Sequence, residues 1–351
     1  MQRWRTMDGG LAPILQHLAL TRTILEARAR NEVPATLRFF RAPPTVIIGS
    51  HECADQVTTL AEISNADVGL VRGLTVQQAH YVDPLHLGWE LHLASSDAKG
   101  GLRMAFRRTC EATAAGLAAM GADVWLSKFM DIRSRERIVC MMTALTDGDV
   151  GVIQGWICLR RDVARIRAFL RGPPAVMGDD SHVNARMTDI ESLLGRRPDA
   201  RAVRRVIIEA LETEFDVEFA EDELTLAEDR RHRPALKSMD TPDWTGLIRG
   251  APEGMPVVTA RVRLGANDVR LVAMFDRASG VVRSACFDSS DATLRDNLIP
   301  IESALADVSV ARIERRLGLL VPDALSRIGV SASAVSEAMQ RVLGQPSLPP
   351  G

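Results

Sequence analysis

The stretch VRGLTVQQAHYVDPLHLGWEL, residues 71–91, decides how the chain is interpreted. It begins at the end of an apolar run, DVGLVR (67–72), passes through a polar loop and enters LGWELHL (87–93), where apolar and polar residues alternate. Alternation with a period of two predicts a β-strand, so the loop joins two strands. A loop in this position is typical of a phosphate-handling site, but the glycines that such a loop uses are missing between Thr75 and Ala79. The stretch therefore raises the question of which chemistry the site retains.

Segments before this stretch add a helix and two more strands. The apolar spacing within residues 11–30 is close to helical. The runs TLRFFR (36–41) and TVIIG (45–49) predict strands, and the consecutive Pro43 and Pro44 between them force a turn. The order of these segments predicts a mixed sheet with helices rather than an all-β or all-α domain.

Segments after the stretch continue the same alternation of helix and strand. Residues 102–120 carry apolar side chains on one side of a helix, and Gly121 is a suitable residue to end it. The runs 137–145 and 151–159 flank Asp147-Gly148, which predicts a β-hairpin. Residues 200–215 predict an amphipathic helix, and polar sequence follows to Trp244.

The C-terminal part has a different composition and predicts a separate module. A three-stranded meander is predicted from three apolar runs, at residues 257–265, 269–276 and 281–288. Helices are expected over 301–320, with one break, and over 331–343. We therefore predict an α/β (α+β) protein, with a mixed-sheet large domain over residues 1–246 and a smaller α+β domain over residues 251–346.

Composition restricts the possible classes of function. The chain has 351 residues, 46% hydrophobic and 25% charged, with a formal net charge of -2, as in globular proteins with a full core. This charge gives no overall basic field, so we expect neither nucleic acid nor an anionic membrane as a partner. The five cysteines form no CxxC pair, and we expect reduced thiols in the cytoplasm rather than a zinc or redox motif. No apolar run approaches the roughly 18 residues of a membrane span.

In this order, the segments resemble the lipoate–protein ligase A family of the biotin/lipoate ligase superfamily. RFFRAPPTVIIGSHE (38–52) is similar to the family's early strand, Pro-Pro, strand and glycine, and the family's signature loop falls without gaps on residues 72–90. Shorter similarities follow at Met130-Asp131-Ile132, Gln154-Gly155 and Lys237-Ser238 with Trp244-Thr245. The resemblance covers most of the chain and implies a mixed-sheet large domain with a small accessory domain.

The resemblance also implies a substrate and a partner. The family joins lipoate or octanoate to ATP as an acyl-adenylate and passes the acyl group to a lysine of a small carrier domain. Some relatives transfer an octanoyl group without ATP. For this chain the resemblance implies lipoate or octanoate as small-molecule ligand, and a lipoyl-type carrier domain or a partner subunit as protein partner.

Site residues follow from the positions that match the family's motifs. The resemblance implies cofactor-binding roles for eight residues: Arg72, Thr75, Gln77, Gln78, Ala79, Asp83, Asp131 and Gly155. Arg137 lies at or beside the position of the family's lysine, which places positive charge beside the reacting phosphate. Cys140 is a second catalytic candidate: a cysteine with Arg135 and Arg137 nearby to lower its pKa can carry an acyl group as a thioester without a phosphate loop. The alternative for Cys140 is a small buried hydrophobic residue on a strand.

Departures from the family pattern decide between the functional hypotheses. Val76, Gln77 and Gln78 replace the loop glycines, and β-branched Val76 tolerates a positive φ poorly. Arginine at position 137 keeps the charge of lysine but is larger and directs its donors differently. We therefore expect conventional ATP- and Mg-dependent adenylation to be lost and non-catalytic binding of a carrier or partner to remain. An active lipoyl or octanoyl ligase or transferase, and a small-molecule sensor, stay open as alternatives.

Three histidines near the loop suggest a metal site only superficially. His86 and His92 lie on one face of a predicted strand but about 20 Å apart at ~3.3 Å per residue, so one ion cannot contact both. We predict no metal site. His80, at the loop exit, is either a base in a rewritten pocket or an ordinary buried histidine. Lys128 is either a substitute for the missing lysine or a solvated side chain.

Overall fold

A computed structural model describes residues 2–49, 52, 54–75, 78–172, 179–241, 244 and 257–344. By their contacts, these residues form two units. The first unit contains the described residues of three segments, Met1–His51, Ala61–Asp162 and Met187–Ile248. The second contains those of Glu52–Leu60, Val163–Arg186 and Arg249–Gly351. The division of the chain into domains 1–246 and 251–346 stays a prediction. By contacts, the second unit also includes the described residues of two earlier segments, Glu52–Leu60 and Val163–Arg186.

The first unit is built on a mixed sheet of eight strands among the described residues, in the order β11-β1-β2-β6-β10-β9-β8-β7. The strand bounds are β1 Gln2–Leu11, β2 Thr36–Arg41, β6 His86–Ala94, β7 Trp125–Leu126, β8 Ile132–Ser134, β9 Arg137–Asp147, β10 Val150–Cys158 and β11 Val217–Glu221. A second sheet in the order β4-β3-β5 contains β3 Thr45–Ile48, β4 Gly69–Arg72 and β5 His80–Val82. Strand β1 runs parallel to both β2 and β11, whereas β6, β10 and β9 are antiparallel neighbours.

Helices cover both faces of the large sheet. Their bounds are α1 Ile14–Ala29, α3 Leu60–Asn65, α4 Gly101–Ala119, α7 Ile190–Leu194, α8 Ala200–Phe215 and α9 Leu226–Met239. One hydrophobic core includes Trp89 of β6, Leu117 of α4 and Ile207 of α8. A second core includes Ile14 of α1 and Trp156 of β10. The candidate site lies on the face of the sheet that carries this second core.

The second unit contains an antiparallel sheet and short helices. Its strands, in the order β12-β13-β14-β15, are Val257–Leu264, Asn267–Asp276, Val281–Asp288 and Val308–Ser309. Its helices are α2 Ala54–Val57, α5 Val163–Phe169, α6 Asp180–Arg186, α10 Ala292–Leu305, α11 Ile313–Leu320, α12 Pro322–Arg327 and α13 Ala332–Leu343. Arg186 joins α6 to the C-terminal part because its guanidinium donates to Glu302 Oε2 at 2.7 Å and to the Phe287 carbonyl at 3.0 Å. This buried ion pair explains why residues 163–186 belong to the second unit.

The predicted fold class is confirmed: a mixed α/β unit is followed by a C-terminal antiparallel sheet with helices. The predicted strands at 36–41 and 45–49 and the helix over 102–120 are present within one or two residues. The hairpin turn contains Gly148 at φ +57°, and Gly121 has φ +95° after the helix. These elements were predictable because turn chemistry and hydrophobic period agree locally.

Local structure goes beyond the predictions in three places. The polar interval after Phe215 contains strand β11 and helix α9, neither of which was predicted. Strand β1 was not predicted, because residues 4–7 are buried on both faces of a parallel pair and show no alternation. The helices expected over 301–320 with one break are α10 and α11, and the break between them contains strand β15 and a 3-10 turn; α10 begins earlier than predicted, at Ala292.

Candidate functional site

A row of polar side chains occupies one face of strands β6 and β10. In the antiparallel register, Glu90 lies opposite Gln154, and His86 lies opposite Cys158. Side chains alternate across a strand, so these residues share a face, and the opposite face carries the apolar core around Trp89. The polar row is buried, and each charged member therefore needs a partner within the protein.

Glu90 is the centre of this row. Its Oε1 accepts hydrogen bonds from Arg38 Nε at 2.9 Å and Nη2 at 2.6 Å, and lies 2.8 Å from His92 Nε2. The Arg38 and Glu90 side chains are 1% and 0% exposed. Burial alone would raise the pKa of the Glu90 carboxyl, but Arg38 and His92 lower it to about 2. Glu90 is therefore a fixed buried carboxylate at neutral pH, held by a cation on the neighbouring strand.

The second carboxylate oxygen connects the row to the signature loop. Glu90 Oε2 is 3.4 Å from Gln154 Nε2, and Gln154 Oε1 accepts from Thr75 Oγ1 at 2.7 Å. Thr143 donates to Thr75 at 2.9 Å. The one loop side chain that matches the family's hydroxyl position is thus bonded to the sheet. Gln77, predicted to bind cofactor, lies outside the described residues.

Helix α1 contributes two side chains that contact Glu90 and Arg38 of the polar row. Thr21 donates to Glu90 Oε2 at 2.9 Å, and Arg38 Nη1 lies 3.1 Å from His17 Nδ1. Burial, with Arg38 alongside, lowers the pKa of His17 to about 4. His17 is therefore neutral at pH 7, and its other ring nitrogen lies 2.9 Å from the Arg41 carbonyl.

A narrow cleft with a cavity volume of about 10 Å³ lies beside this network. Six of its lining residues are Ile14, Leu18, Phe40, Ile47, Gln154 and Trp156. The Trp156 and Phe40 rings meet edge to face, with centroids 5.2 Å apart. The volume is below the ~300–1,000 Å³ that is usual for small-molecule sites. Large aromatic side chains thus occupy much of the space at the centre of this face.

Gly88 and Gly155 each leave space for neighbouring aromatic rings, on opposite faces of the sheet. A Cβ atom on Gly88 would lie 2.6 Å from the Phe40 ring and 2.9 Å from the Trp156 ring. On the other face, a Cβ atom on Gly155 would lie 2.5 Å from Trp89. Gly155, predicted to contact a cofactor, is therefore required by tryptophan packing on the face opposite to the cleft.

Other residues of the signature loop contact the protein backbone. Arg72 ends β4 and donates from Nη1 to the Gly49 carbonyl at 2.7 Å. Gln78 and Ala79 are half-buried, and the Gln78 carbonyl accepts from His80 Nδ1 at 3.2 Å. Burial lowers the pKa of His80 to about 4. The structure brings Thr75 into the buried network but places Arg72 at the end of the separate three-stranded sheet.

The catalytic candidates of strand β9 lie away from the polar row. Cys140 lies opposite Ile157 and belongs to the core on the other face. Burial raises the pKa of its thiol well above the ordinary value, so the expectation that Arg135 and Arg137 lower it is wrong. Arg137 is half-buried in the short hairpin, paired with Ser134. A buried thiol of raised pKa is a poor nucleophile, and the structure gives Cys140 no support as one.

Asp131, also predicted to bind cofactor, is paired with Arg133 at 3.1 Å. Burial raises the pKa of its carboxyl, although Arg133 acts in the opposite direction. This ion pair satisfies Asp131 within its own hairpin. Lys128 is exposed at the start of that hairpin.

A second polar group on the same face of the sheet was not foreseen from the sequence. His86 Nδ1 lies 3.0 Å from Asp83 Oδ1 and 3.3 Å from the Asp83 backbone nitrogen. The available signal was the strand pattern, which puts His86, Glu90 and His92 on one face of β6. Arg38 was also detectable, as a charged residue inside an aromatic strand.

His86 and His92 have separate partners, Asp83 and Glu90. Within the described ranges, no group of three or more His, Cys, Asp or Glu residues is arranged to hold a metal ion. None of the helices in the described part of the chain has the length and hydropathy that a transmembrane segment needs.

A mixed sheet covered by helices, followed by a C-terminal antiparallel sheet, is the fold of lipoate–protein ligase-like proteins. The loop between β4 and β5 lies where this class has its signature loop. A sequence model of the lipoyl protein ligase A/B catalytic domain matches residues 13–212, more than half of the chain, and the protein belongs to this family. The resemblance drawn from the sequence is thereby confirmed.

Individual relatives agree with this assignment. An octanoyltransferase LipM of Moorella thermoacetica is 26% identical over 268 residues, which cover 69% of this chain and 97% of the relative. A bipartite lipoate protein ligase of Thermoplasma acidophilum, studied with its E2 lipoyl domain, superposes with a TM-score of 0.63 at 20% identity. That match covers 72% of this chain and 100% of the other. A lipoate-protein ligase A bound with ATP gives a TM-score of 0.62 at 20% identity, covering 71% and 100%. At these identities the structures support the fold.

Proposed function

We propose that this protein recognises a lipoyl-type carrier domain, or a partner subunit that contains one, without forming an acyl-adenylate in its cleft. The observation that carries the proposal is the hydrogen-bonded series from Thr75 through Gln154 to Glu90 and Arg38. These side chains stand between the loop and the sheet, and they satisfy one another rather than facing open space.

The residues present do not fit a nucleotide phosphate. Such a cradle is made of backbone N–H groups in conformations that glycine adopts easily, and Val76, Gln77 and Gln78 stand at the family's glycine positions. Thr75 Oγ1 already donates to Gln154. Arg72 donates to the Gly49 carbonyl. No step through ATP is therefore derived for this site.

The cleft also fits an acyl chain poorly. Phe40 and Trp156 pack against Gly88, and the cleft between the described residues, with a cavity volume of about 10 Å³, is small for a ligand pocket. A buried ion pair follows immediately along the strands, at Arg38 and Glu90. Because desolvated charge is costly beside an apolar ligand, this pair acts against the insertion of a hydrocarbon chain.

Carrier recognition is the part of the family's activity that these changes leave possible. The structural match with the bipartite ligase of T. acidophilum, which was studied with its E2 lipoyl domain, covers 72% of this chain and 100% of that ligase. Binding to a folded carrier domain uses the protein surface and needs no phosphate cradle. A carrier domain is therefore the partner that fits both the family and the altered site.

Acyl transfer without ATP is the second candidate. It is favoured by the octanoyltransferase LipM of M. thermoacetica, of which this chain covers 97%. An octanoyl transfer from a thioester donor needs no nucleotide loop. It does need an accessible nucleophile or a direct path from donor to carrier lysine, and Cys140 does not supply the first.

Two assays on the full chain test the proposal. ATP–pyrophosphate exchange is measured with lipoate and with octanoate, for the wild type and for a Val76→Gly, Gln77→Gly, Gln78→Gly variant. We expect no exchange in either, because glycines alone leave the Thr75–Gln154–Glu90 network and Trp156 in place. Exchange by the wild type would overturn the proposal.

The second assay is calorimetric titration of a purified apo lipoyl domain into the protein, with its carrier lysine intact and replaced. We expect binding in both cases, since the proposal places recognition on the carrier surface rather than on the modified lysine. Absence of binding contradicts the proposal. An apo domain that gains the mass of one octanoyl group from an octanoyl thioester selects the transferase instead.

A further inference from the structure

Strand β12 lies at one end of the four-stranded sheet of the second unit and has a free edge. Among the described residues it pairs with β13 alone. Alternate residues of a strand direct their N–H and C=O groups to opposite sides, so every second residue of β12 directs these groups away from β13. The strand has 8 residues, which is longer than the roughly 5–6 that are most common. The edge is therefore long enough to pair with one more strand.

Three arginines make the exposed face of this edge basic. Arg261 and Arg263 lie on β12, and Arg270 of β13 lies directly opposite Arg261. All three side chains are exposed. The Cβ atoms of directly opposite residues are about 4.5–5.5 Å apart, so the like charges of Arg261 and Arg270 repel each other across the two strands.

The carboxylates nearest in register do not neutralise these arginines. Asp268 stands opposite Arg263, and the described part of the chain shows no ion pair between them. Asp288 of β14 stands opposite Arg270, but its carboxylate lies 3.4 Å from His182 Nε2 instead. The exposed face at the β12 edge thus carries an excess of positive charge.

The other face of β12 is apolar. Val262 and Leu264 are buried there, and helix α13 packs against the strand. Val258 and Ala260, further from the turn, are half-buried. Because side chains alternate along a strand, an added strand directs every second residue towards this apolar face and the others towards the arginines.

A second copy of the chain is a poor occupant of this edge. Two β12 strands, paired about a two-fold axis perpendicular to the sheet, bring Arg261 and Arg263 of both copies onto one face. Like charges on neighbouring strands destabilise their pairing, and charged side chains on an edge strand act against self-association. A partner with carboxylates at the same positions reverses the sign of this interaction.

We propose that β12 binds an extended acidic segment of a partner protein as an additional strand of this sheet. Carboxylates at alternate positions of the segment pair with Arg261 and Arg263, and the charge of Arg270 adds to the attraction. Apolar residues between the carboxylates cover Val258 and Ala260. Main-chain hydrogen bonds supply affinity, and the alternation of side chains supplies selectivity. This inference does not rest on the proposed carrier recognition, because β12 belongs to the second unit and the signature loop to the first.

The test measures binding of a fluorescein-labelled peptide, in which glutamate and valine alternate, to the full-length protein. Fluorescence anisotropy at low ionic strength should show binding, and the β12 backbone amides should become protected from hydrogen exchange in the complex. A peptide with lysine in place of every glutamate should not bind, because its charge is reversed. A peptide methylated on every backbone nitrogen keeps the carboxylates but has no N–H donors, and it should not bind either.

Variants of the protein separate this edge from the overall charge. Arg261→Glu combined with Arg263→Glu should lower the affinity for the glutamate–valine peptide by about tenfold or more, because two ion pairs become repulsive. The matched control combines Arg312→Glu with Arg315→Glu, two exposed arginines outside the sheet, and should change the affinity by less than about twofold. Circular dichroism checks that both variants are folded.

Several results overturn the proposal, and the peptide comparisons decide even if a variant fails to fold. One is failure of the glutamate–valine peptide to bind the wild type at about 1 mM. Another is binding that leaves the β12 amides unprotected or that the methylated peptide retains, because the contact is then electrostatic only. An unchanged affinity of the folded Arg261→Glu, Arg263→Glu variant also contradicts it. Binding of double-stranded RNA or of an anionic lipid vesicle in place of the peptide assigns the arginines to another class of partner.

Discussion

Replacing Glu90 by glutamine tests whether the buried ion pair organises the site. The substitution keeps the shape of the side chain but removes the negative charge between Arg38 and His92. Arg38 is 1% exposed and would remain a buried cation without a carboxylate. Removing one partner of a buried pair usually costs about 3–5 kcal/mol.

The pKa of Glu90 gives a second value for the loss of unfolding free energy in Glu90→Gln. Its pKa is lowered from 4.5 to about 2 in the folded protein. At about 1.4 kcal/mol per pKa unit, this corresponds to about 3 kcal/mol in favour of folding at pH 7. Both routes therefore predict that Glu90→Gln lowers the free energy of unfolding by about 3 kcal/mol or slightly more.

Urea denaturation at pH 7, followed by tryptophan fluorescence and circular dichroism, measures this difference. The matched control is Glu26→Gln, which breaks the exposed Arg22–Glu26 pair on helix α1 and should cost less than about 0.5 kcal/mol. If Glu90→Gln lies within about 1 kcal/mol of the wild type at pH 7, the buried pair does not stabilise the site and the reasoning fails.

The direction in which pH changes the stability contribution of Glu90 follows from its lowered pKa. Because the folded pKa of Glu90 is lowered, its contribution is complete above pH 4.5 and is lost as the pH falls through about 2. The difference between the wild type and Glu90→Gln should therefore persist at pH 5 and narrow only at lower pH. A difference that already disappears at pH 5 would contradict the lowered pKa.

Two further predictions concern residues around the site. The pKa of His17 is lowered to about 4, so at pH below 6.5 its imidazole binds a proton in the unfolded chain before it does so in the folded protein. The contribution of His17 to the unfolding free energy should therefore drop by about 1 kcal/mol between pH 7.5 and 5.5. His17→Gln should reduce this slope in urea titrations at the two pH values, and an unchanged slope would count against it. Gly155→Ala places a Cβ atom 2.5 Å from the Trp89 ring and should lower the unfolding free energy by about 1–3 kcal/mol. Its control, Gly172→Ala, has no atom within 4 Å of the added Cβ, and equal effects of the two substitutions in the same denaturation assay would refute the packing argument.

Local signals were sufficient for much of the fold. The hairpin at Asp147-Gly148 and the helix that ends before Gly121 need only residues close in sequence, because turn conformation and helix period are local properties. Helix α9 had such a signal too: Thr225 and Glu228 form a capping box, with the Thr225 N–H donating to Glu228 Oε2 at 2.8 Å. The T-x-x-E pattern was in the sequence, inside the polar interval for which no element was predicted.

Contacts between residues far apart in sequence explain why strand β1 was not predicted. Arg5 of β1 donates to Glu228 of α9 at 2.9 and 2.6 Å, across more than two hundred residues. Strand β1 lies between β2 and β11, and its side chains are buried on both faces. Such a strand has no alternating pattern, because neither face meets water.

The sequence alone determined the elements around the signature loop, the family and the loss of the loop glycines, since each depends on residue identity at fixed spacing. The tertiary structure decided that Glu90 pairs with Arg38, that Gly155 accommodates Trp89 and that His86 pairs with Asp83. Strand register and burial create these relations: register selects which side chains face one another, and burial makes an unpaired charge too costly to keep. Neither quantity can be calculated from one segment of the chain, because both arise only when distant strands come together.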